Sequence, residues 1–235
     1  MAIVTLENVK KSYNLGLVEV PAVRGISFEI EKGDFISIAG PSGSGKSTIL
    51  NMIGCMDKPT EGTVTINGKS TAGLSDYETT LLRHETIGFI FQSFNLIPVL
   101  NVFENIEFPL LLGKGGSRSP AKKKQDKEWI DYLIAEVGLE RWVNHKSNEL
   151  SGGQRQRVAI ARALVTKPTI VLADEPTANL DSKTGEEVIE LMKKVNKEMD
   201  TTFIFSTHDA TVVDIADHVI RLKDGLVTEN RRKEA

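Results

Sequence analysis

Cysteine occurs once in the 235 residues, at Cys55. No intramolecular disulfide can form, which suits a reducing cytoplasm. Cys55 ends the largely apolar run that begins at Ile49, so a small buried hydrophobe is expected there rather than a reactive thiol. An excess of either charge is lacking too: 29 Lys and Arg against 32 Asp and Glu leave a net −3. A chain so balanced is no electrostatic trap for DNA or RNA, and no nucleic-acid partner is expected. No uninterrupted apolar run approaches the ~20 residues that a membrane span needs. Met1 to Glu7 has neither a basic flank nor a long apolar stretch, so no signal peptide is expected. Work at a membrane must then pass through a partner. No internal repeat occurs, and His84, His145 and His218 show no metal spacing with cysteine.

What is present alternates between strand and helix patterns. Val4 to Val9 and Val23 to Ile30 read as strands, and Phe35 to Ala39 as a short buried one. A helix is expected from about Lys46 to Ile53, after a glycine-rich loop. Thr63 to Ile66, before the Asn67-Gly68 turn, suggests an edge hairpin strand, and Ile87 to Phe91 a further strand. The middle differs. Val102 to Leu112 looks helical, Gly113 to Ser119 is a loop, and Lys122 to Lys124 read as a solvated face. Trp129, Ile130, Leu133, Ile134 and Val137 fall at helical spacing, with Gly138 placed to cap. The stretch of about 93–160 is therefore expected to be a mostly helical insertion. Strand patterns resume at Thr169 to Ala173 and Phe203 to Ser206. Between them Asp181 can cap a helix carrying Val188, Leu191, Met192 and Val195. Val219 to Leu222 and Leu226 to Thr228 flank a hairpin signal at Asp224-Gly225. The tail from Asn230 to Ala235 is expected to fray.

The chemistry concentrates in three motifs. Gly40-Pro41-Ser42-Gly43-Ser44-Gly45-Lys46-Ser47 matches the P-loop pattern and lies between a strand and a helix, as that pattern requires. Its glycines permit turns that point successive N–H groups inward as a phosphate cradle. The helix start adds its positive dipole end. Lys46 supplies a cation for β- and γ-phosphates, and the Ser47 hydroxyl can ligate Mg²⁺. The second motif, Ile170 to Glu175, is an apolar strand that ends in two carboxylates. In a P-loop fold the first, Asp174, belongs near Mg²⁺. The second, Glu175, is placed to polarise an attacking water as general base. Taken alone, acids at a strand end also serve solubility. The third motif is Leu150-Ser151-Gly152-Gly153-Gln154, where Ser151 and the glycines can open the following helix and offer a second anion-binding end.

On these residues the chain resembles the ATP-binding subunit of ABC transporters over essentially its whole length, with Leu150 to Gln154 as the signature. The resemblance implies an α/β fold: a P-loop NTPase core with a mixed central sheet, an antiparallel β subdomain and a helical insertion subdomain. Residues 1–235 would form one ABC ATPase domain, with 1–92 and 161–235 as core and about 93–160 as the helical signature part. It further implies ATP and Mg²⁺ as cofactors, with Thr48 joining the loop residues at the nucleotide. Tyr13 matches the aromatic that stacks on adenine. Gln92 matches the glutamine that senses Mg²⁺ and the γ-phosphate, so Ser47, Gln92 and Asp174 make the expected metal set. Ala178 to Asp181 match the D-loop and His208 the switch histidine. The expected catalytic set is Glu175, His208, Lys46 and Gln92. The family pairs two copies head to tail, each ATP lying between the P-loop of one and Ser151 to Gln154 of the other.

The segment Phe91 to Ile106 is similar to ATPases of the lipoprotein-releasing and macrolide-exporter (LolD/MacB-type) group, and Leu50 to Gly62 agrees. Macrolide exporters of that group fuse the ATPase to a membrane span; with none in these 235 residues a separate membrane permease is expected, docked near Leu96, Ile97, Leu100, Val102 and Phe103. The expected place is cytoplasmic, peripheral on the inner face of the cell membrane. Cell-division-type and importer ATPases stay open as alternatives. Three more distant readings have discriminators. A P-loop phosphotransferase would not need Leu150 to Gln154. A DNA-maintenance ATPase would carry a long coiled coil or zinc insertion, and about 75 residues without heptads or cysteine pairs separate Gln92 from the acidic strand. A silent regulatory module would not need Glu175 and His208.

Overall fold

Strands without a charged residue in their interior can be buried on both faces, and three such strands form the centre of the molecule. The computed structural model describes residues 2–16, 18–112 and 119–233. In chain order it contains β1 (Ala2–Leu15), β2 (Val18–Glu31), β3 (Phe35–Ala39), α1 (Lys46–Ile53), β4 (Glu61–Ile66), β5 (Lys69–Ser70), α2 (Asp76–Thr86) and β6 (Ile87–Ile90). The order continues with α3 (Val102–Leu111), α4 (Pro120–Glu136), α5 (Gly152–Leu164), β7 (Ile170–Asp174) and α6 (Ser182–Met199). It closes with β8 (Thr202–Thr207), α7 (Ala210–Ile215), β9 (His218–Lys223) and β10 (Leu226–Arg232).

Two sheets result. One is antiparallel, in the order β2-β1-β4-β5; the other is mixed, in the order β10-β9-β3-β8-β7-β6. In the second, β6, β7, β8, β3 and β9 run parallel and β10 returns antiparallel. The pleat of the central strands divides the core. Phe35, Val171, Ala173, Phe203 and Phe205 join the cluster built with α3, α4, α5 and α6. Ile36, Ile38, Ile170, Leu172 and Ile204 point the other way, into the cluster shared with α1 and the antiparallel sheet. Period-two alternation is thus hidden in sequence because both faces are apolar, and only the packing reveals it.

Most elements fall where their patterns place them, and the exceptions have physical causes. β4 is an interior strand between β1 and β5, and the edges of its sheet are β2 and the two-residue β5. The tail does not fray at Asn230: β10 runs to Arg232, whose guanidinium makes two 2.9 Å hydrogen bonds to Asp34. Burial would raise the Asp34 pKa, but hydrogen bonds from His218, Arg232 and the Glu31 amide outweigh it and hold the carboxyl below the usual range. Glu234 and Ala235 lie outside the described residues, as do residues 113–118 of the loop expected over Gly113 to Ser119; Ser119 itself caps α4. α2 has no counterpart in the sequence reading. Only Leu82 and Thr86 of it are buried, so its apolar stripe is thin, although Ser75 and Glu78 form a capping box at its start. α5 runs across residue 160 without a break, joining the signature turn to the sheet. Cys55 is buried, as expected, and burial raises its pKa. Lys122 and Lys124 are exposed and pair with Asp126 and Glu128 one turn on.

Candidate functional site

The carboxyl ends of parallel strands meet loops, and a crevice opens there. At the end of β3 the chain turns through Gly40 to Gly45 into α1. Gly45 has φ +102°, and a Cβ there would lie 2.6 Å from the Ala22 carbonyl oxygen, so only glycine fits. No side chain caps α1, which leaves its first amides facing a cavity of ≈ 570 Å³. Pro41, Ser42, Gly43, Gly45, Lys46, Ser47 and Thr48 line that cavity, together with Ala22, Gln92, Glu175 and His208. Lys46 is 7% exposed, and its ammonium donates to the carbonyls of Gly40 (2.9 Å) and Pro41 (3.0 Å).

Neighbouring strands bring the remaining groups. Asp174 ends β7, and its Oδ1 accepts a 3.0 Å hydrogen bond from the Ser47 hydroxyl. Glu175 follows with φ +46°, a left-handed conformation unusual for glutamate, held by its amide donating to the Ser206 carbonyl at 2.8 Å. That turn aims Glu175 Oε1 at His208 Nδ1, 2.9 Å away, and puts it 3.9 Å from Lys46 Nζ. Thr177 Oγ1 donates to Asp209 Oδ2 at 2.9 Å, tying the loop after Glu175 to the loop that carries His208. Gln92 is exposed, and its carbonyl accepts from Asn179 Nδ2 at 2.8 Å. Beyond it, Phe94 and Asn95 have positive φ, and Arg162 donates to both of their carbonyls.

The structure therefore brings together the loop residues, Gln92, Asp174, Glu175 and His208. Gly40 and Ser44 belong to the loop but do not line the cavity. Tyr13 is 37% exposed and does not line the cavity, though Thr48, near its ring, does. Burial raises the Tyr13 pKa, with Thr48 opposing it and Asp57 adding to it. Ser151 to Gln154 are not in this cavity. They form a turn in which Ser151 caps α5: Gln154 N–H donates to Ser151 Oγ at 3.3 Å, and Ser151 N–H to Gln154 Oε1 at 2.8 Å. Gly153 is needed for close packing, since a Cβ there would meet Thr184 Cγ2 at 2.4 Å. Asp181 caps α6 through Thr184. The Thr184 hydroxyl hydrogen bond, then the Thr184 amide, lower the Asp181 pKa. Sequence patterns single out neither Ala22, which lines the cavity, nor Asp57, which meets Tyr13, and they place Asn179 only as part of the D-loop; each acts through a long-range contact.

The arrangement can bind a triphosphate at an open helix end and present a carboxylate and an imidazole to it. A glycine loop at the end of a parallel strand, with acids on the next strand but one, defines a P-loop nucleoside triphosphatase. The family's sequence pattern, described as ABC transporter, matches residues 23–178. Relatives narrow the type. The chain is 44% identical over 226 residues to the lipoprotein-releasing system ATP-binding protein LolD 1 of Rhodopseudomonas palustris, covering 96% of this chain and 98% of that one. It is 44% identical over 232 residues to the macrolide export ATP-binding/permease protein MacB of Bdellovibrio bacteriovorus, covering 99% of this chain but 34% of that longer protein. A solved structure of MJ0796 from Methanocaldococcus jannaschii, dimeric in a post-hydrolysis state with ADP and Pi, superposes with a TM-score of 0.88 at 47% identity, covering 99% of both chains. The chain belongs to the ABC transporter family, as an ATP-hydrolysing subunit of the lipoprotein-releasing and macrolide-exporter type.

Proposed function

We propose that this chain is one half of a head-to-tail pair that closes on two Mg-ATP and drives a separate membrane permease. The observation that carries the reading is a division within one chain. The cavity holds Lys46, Glu175 and His208, while the exposed, capped turn at Ser151 is no part of it. A second copy would supply that turn to the first copy's cavity. The dimeric form of MJ0796 supports this pairing.

The residues divide the work as follows. Backbone amides of Gly43 to Ser47 and the start of α1 hold the phosphates. Lys46 turns from its loop carbonyls to the β- and γ-phosphates. Tyr13 carries the adenine, and Thr48 flanks it. Ser47 and Asp174, already hydrogen-bonded, form a hard oxygen set that suits Mg²⁺, with Gln92 as a third donor. Bound Mg²⁺ supplies neutralisation of phosphate charge. Glu175 takes a proton from water aligned with the γ-phosphate. His208 holds the geometry of that carboxylate. Asp181 orders the D-loop between Gln92 and the signature turn. Residues 1–92 and 161–235 act as the core, and about 93–160 as the part that turns against it.

The work itself is lipoprotein release, macrolide or peptide export, or a related transmission of motion. The permease would dock near Leu96 to Phe103 and hold the chain on the inner face of the cell membrane. The LolD 1 and MacB relatives support this over a cell-division or importer role. The test is the mass of the Glu175→Gln variant in solution. Mg-ATP is expected to convert monomer to dimer, and Ser151→Arg in the same background to prevent it. A monomer at saturating Mg-ATP would reject the paired reading.

A further inference from the structure

Tyr13 lies where the antiparallel sheet has lost its third strand. β1 pairs with β4 only as far as Lys10, opposite Glu61, whereas its pairing with β2 continues to Leu15. A two-stranded ribbon is marginal by itself. One turn beyond α1, Asp57 to Thr60, holds it. Lys11 Nζ donates to Asp57 Oδ1 at 2.5 Å and to the Lys58 carbonyl at 2.8 Å. Ser12 N–H donates to Thr60 Oγ1 at 3.1 Å. The Tyr13 hydroxyl donates to Asp57 Oδ2 at 2.8 Å. Both oxygens of one carboxylate are thus committed to the ribbon, and Lys11 Nζ sits 5.0 Å from the Tyr13 ring centroid. Asp57 is itself fixed to α1, because its amide donates to the Asn51 carbonyl at 3.2 Å. Burial would raise the Asp57 pKa, yet the hydrogen bonds from Lys11 and Tyr13 overcome it and keep the carboxylate ionised to lower pH.

We infer that Asp57 is a positioning residue for the nucleotide base: it fixes the tilt of the Tyr13 ring relative to α1, with Lys11 as its charge partner. This rests on Tyr13 being the base platform. The physical gain is preorganisation. A ring tied at its hydroxyl has one orientation, whereas an untied ring on a two-stranded ribbon loses side-chain freedom at every binding event. Since α1 begins at the phosphate loop, the tether sets the base platform and the phosphate cradle against the same helix. Asp57 does not line the phosphate cavity, so its loss falls on base contact and not on the reacting end.

The test uses the full chain and two probes: ATP, and inorganic tripolyphosphate, which carries the phosphates without a base. Tyr13→Phe keeps the ring and removes the hydroxyl; Asp57→Asn keeps the shape and removes the charge. Each is expected to weaken ATP binding by roughly threefold to tenfold in calorimetry. The double variant should lose no more than the larger single one, and tripolyphosphate affinity should hold in all three. In steady state KM rises and kcat does not follow it. A parallel fall in tripolyphosphate affinity would overturn the inference, because the loop itself would have moved; so would additive losses, which would mean that Asp57 and Tyr13 act separately. Tyr13→Ala isolates the underlying reading. Unchanged ATP affinity there removes the ring from the base site, whereas a loss there with none in Tyr13→Phe and Asp57→Asn removes only the tether.

Discussion

α1 and α5 both begin at a glycine-rich turn, yet the two helix ends are finished in opposite ways. α1 has Gly45 at its cap position and no side chain on its free amides. α5 has Ser151, and the Ser151–Gln154 capping box satisfies two of its amides within the turn. An uncapped helix end leaves donors for an anion; a self-capped one is stable while it waits. The surroundings follow the same division. The α1 end sits in a cavity with Lys46, Glu175 and His208. The α5 end packs on the 178–181 loop and the first turn of α6, with Gly152 near the Asn179 carbonyl and Gly153 against Thr184. On the proposed reading, one end reacts and the other is presented to a second copy.

Substitutions can break or sharpen that contrast. The largest effect is expected at the α1 end, in Glu175→Gln. If the carboxylate is the base, turnover falls by roughly 10²–10⁴-fold with ATP binding kept. Near-normal steady-state hydrolysis would strip Glu175 of that role. Next comes Lys46→Ala, which loses charge-assisted contacts and should weaken ATP binding about 10- to 100-fold in calorimetry. Unchanged affinity there would mean that the open end of α1 is not the phosphate site. The smallest effect on the single chain belongs to Ser151→Ala. Removing the cap is expected to cost about 1 kcal/mol of stability in denaturant unfolding, while ATP affinity measured at dilution, where chains are unpaired, stays as it was. A drop in that dilute affinity would show that the two ends communicate inside one chain and would erase the contrast.

Legibility in the sequence followed the range of the interaction. β3, α1 and the P-loop could be placed closely because each signal is local: an apolar run, a glycine pattern and a helix start within a few residues. The signature turn was legible for the same reason, and its serine-to-glutamine spacing is a capping box. The antiparallel sheet was less so. β5 follows β4 across a tight turn, but the pairing of β4 with β1 depends on a partner about sixty residues away, and a short strand carries no mark of being interior. α2 escaped because a helix that buries two residues leaves almost no apolar period. Asp57 escaped because its meaning lies in Lys11 and Tyr13, more than forty residues earlier in the chain.

By itself the sequence determined the chemical groups, the family and most elements, since these rest on short-range pattern and on residue types that only one chemistry uses together. The tertiary structure alone decided how the groups meet: the left-handed turn that aims Glu175 at His208, the tether from Asp57 to Tyr13, and the separation of the Ser151 turn from the cavity of its own chain. The reason is that a contact between distant segments depends on how the sheet and helices pack around it. Packing is a property of the whole folded chain and is not written at any one position.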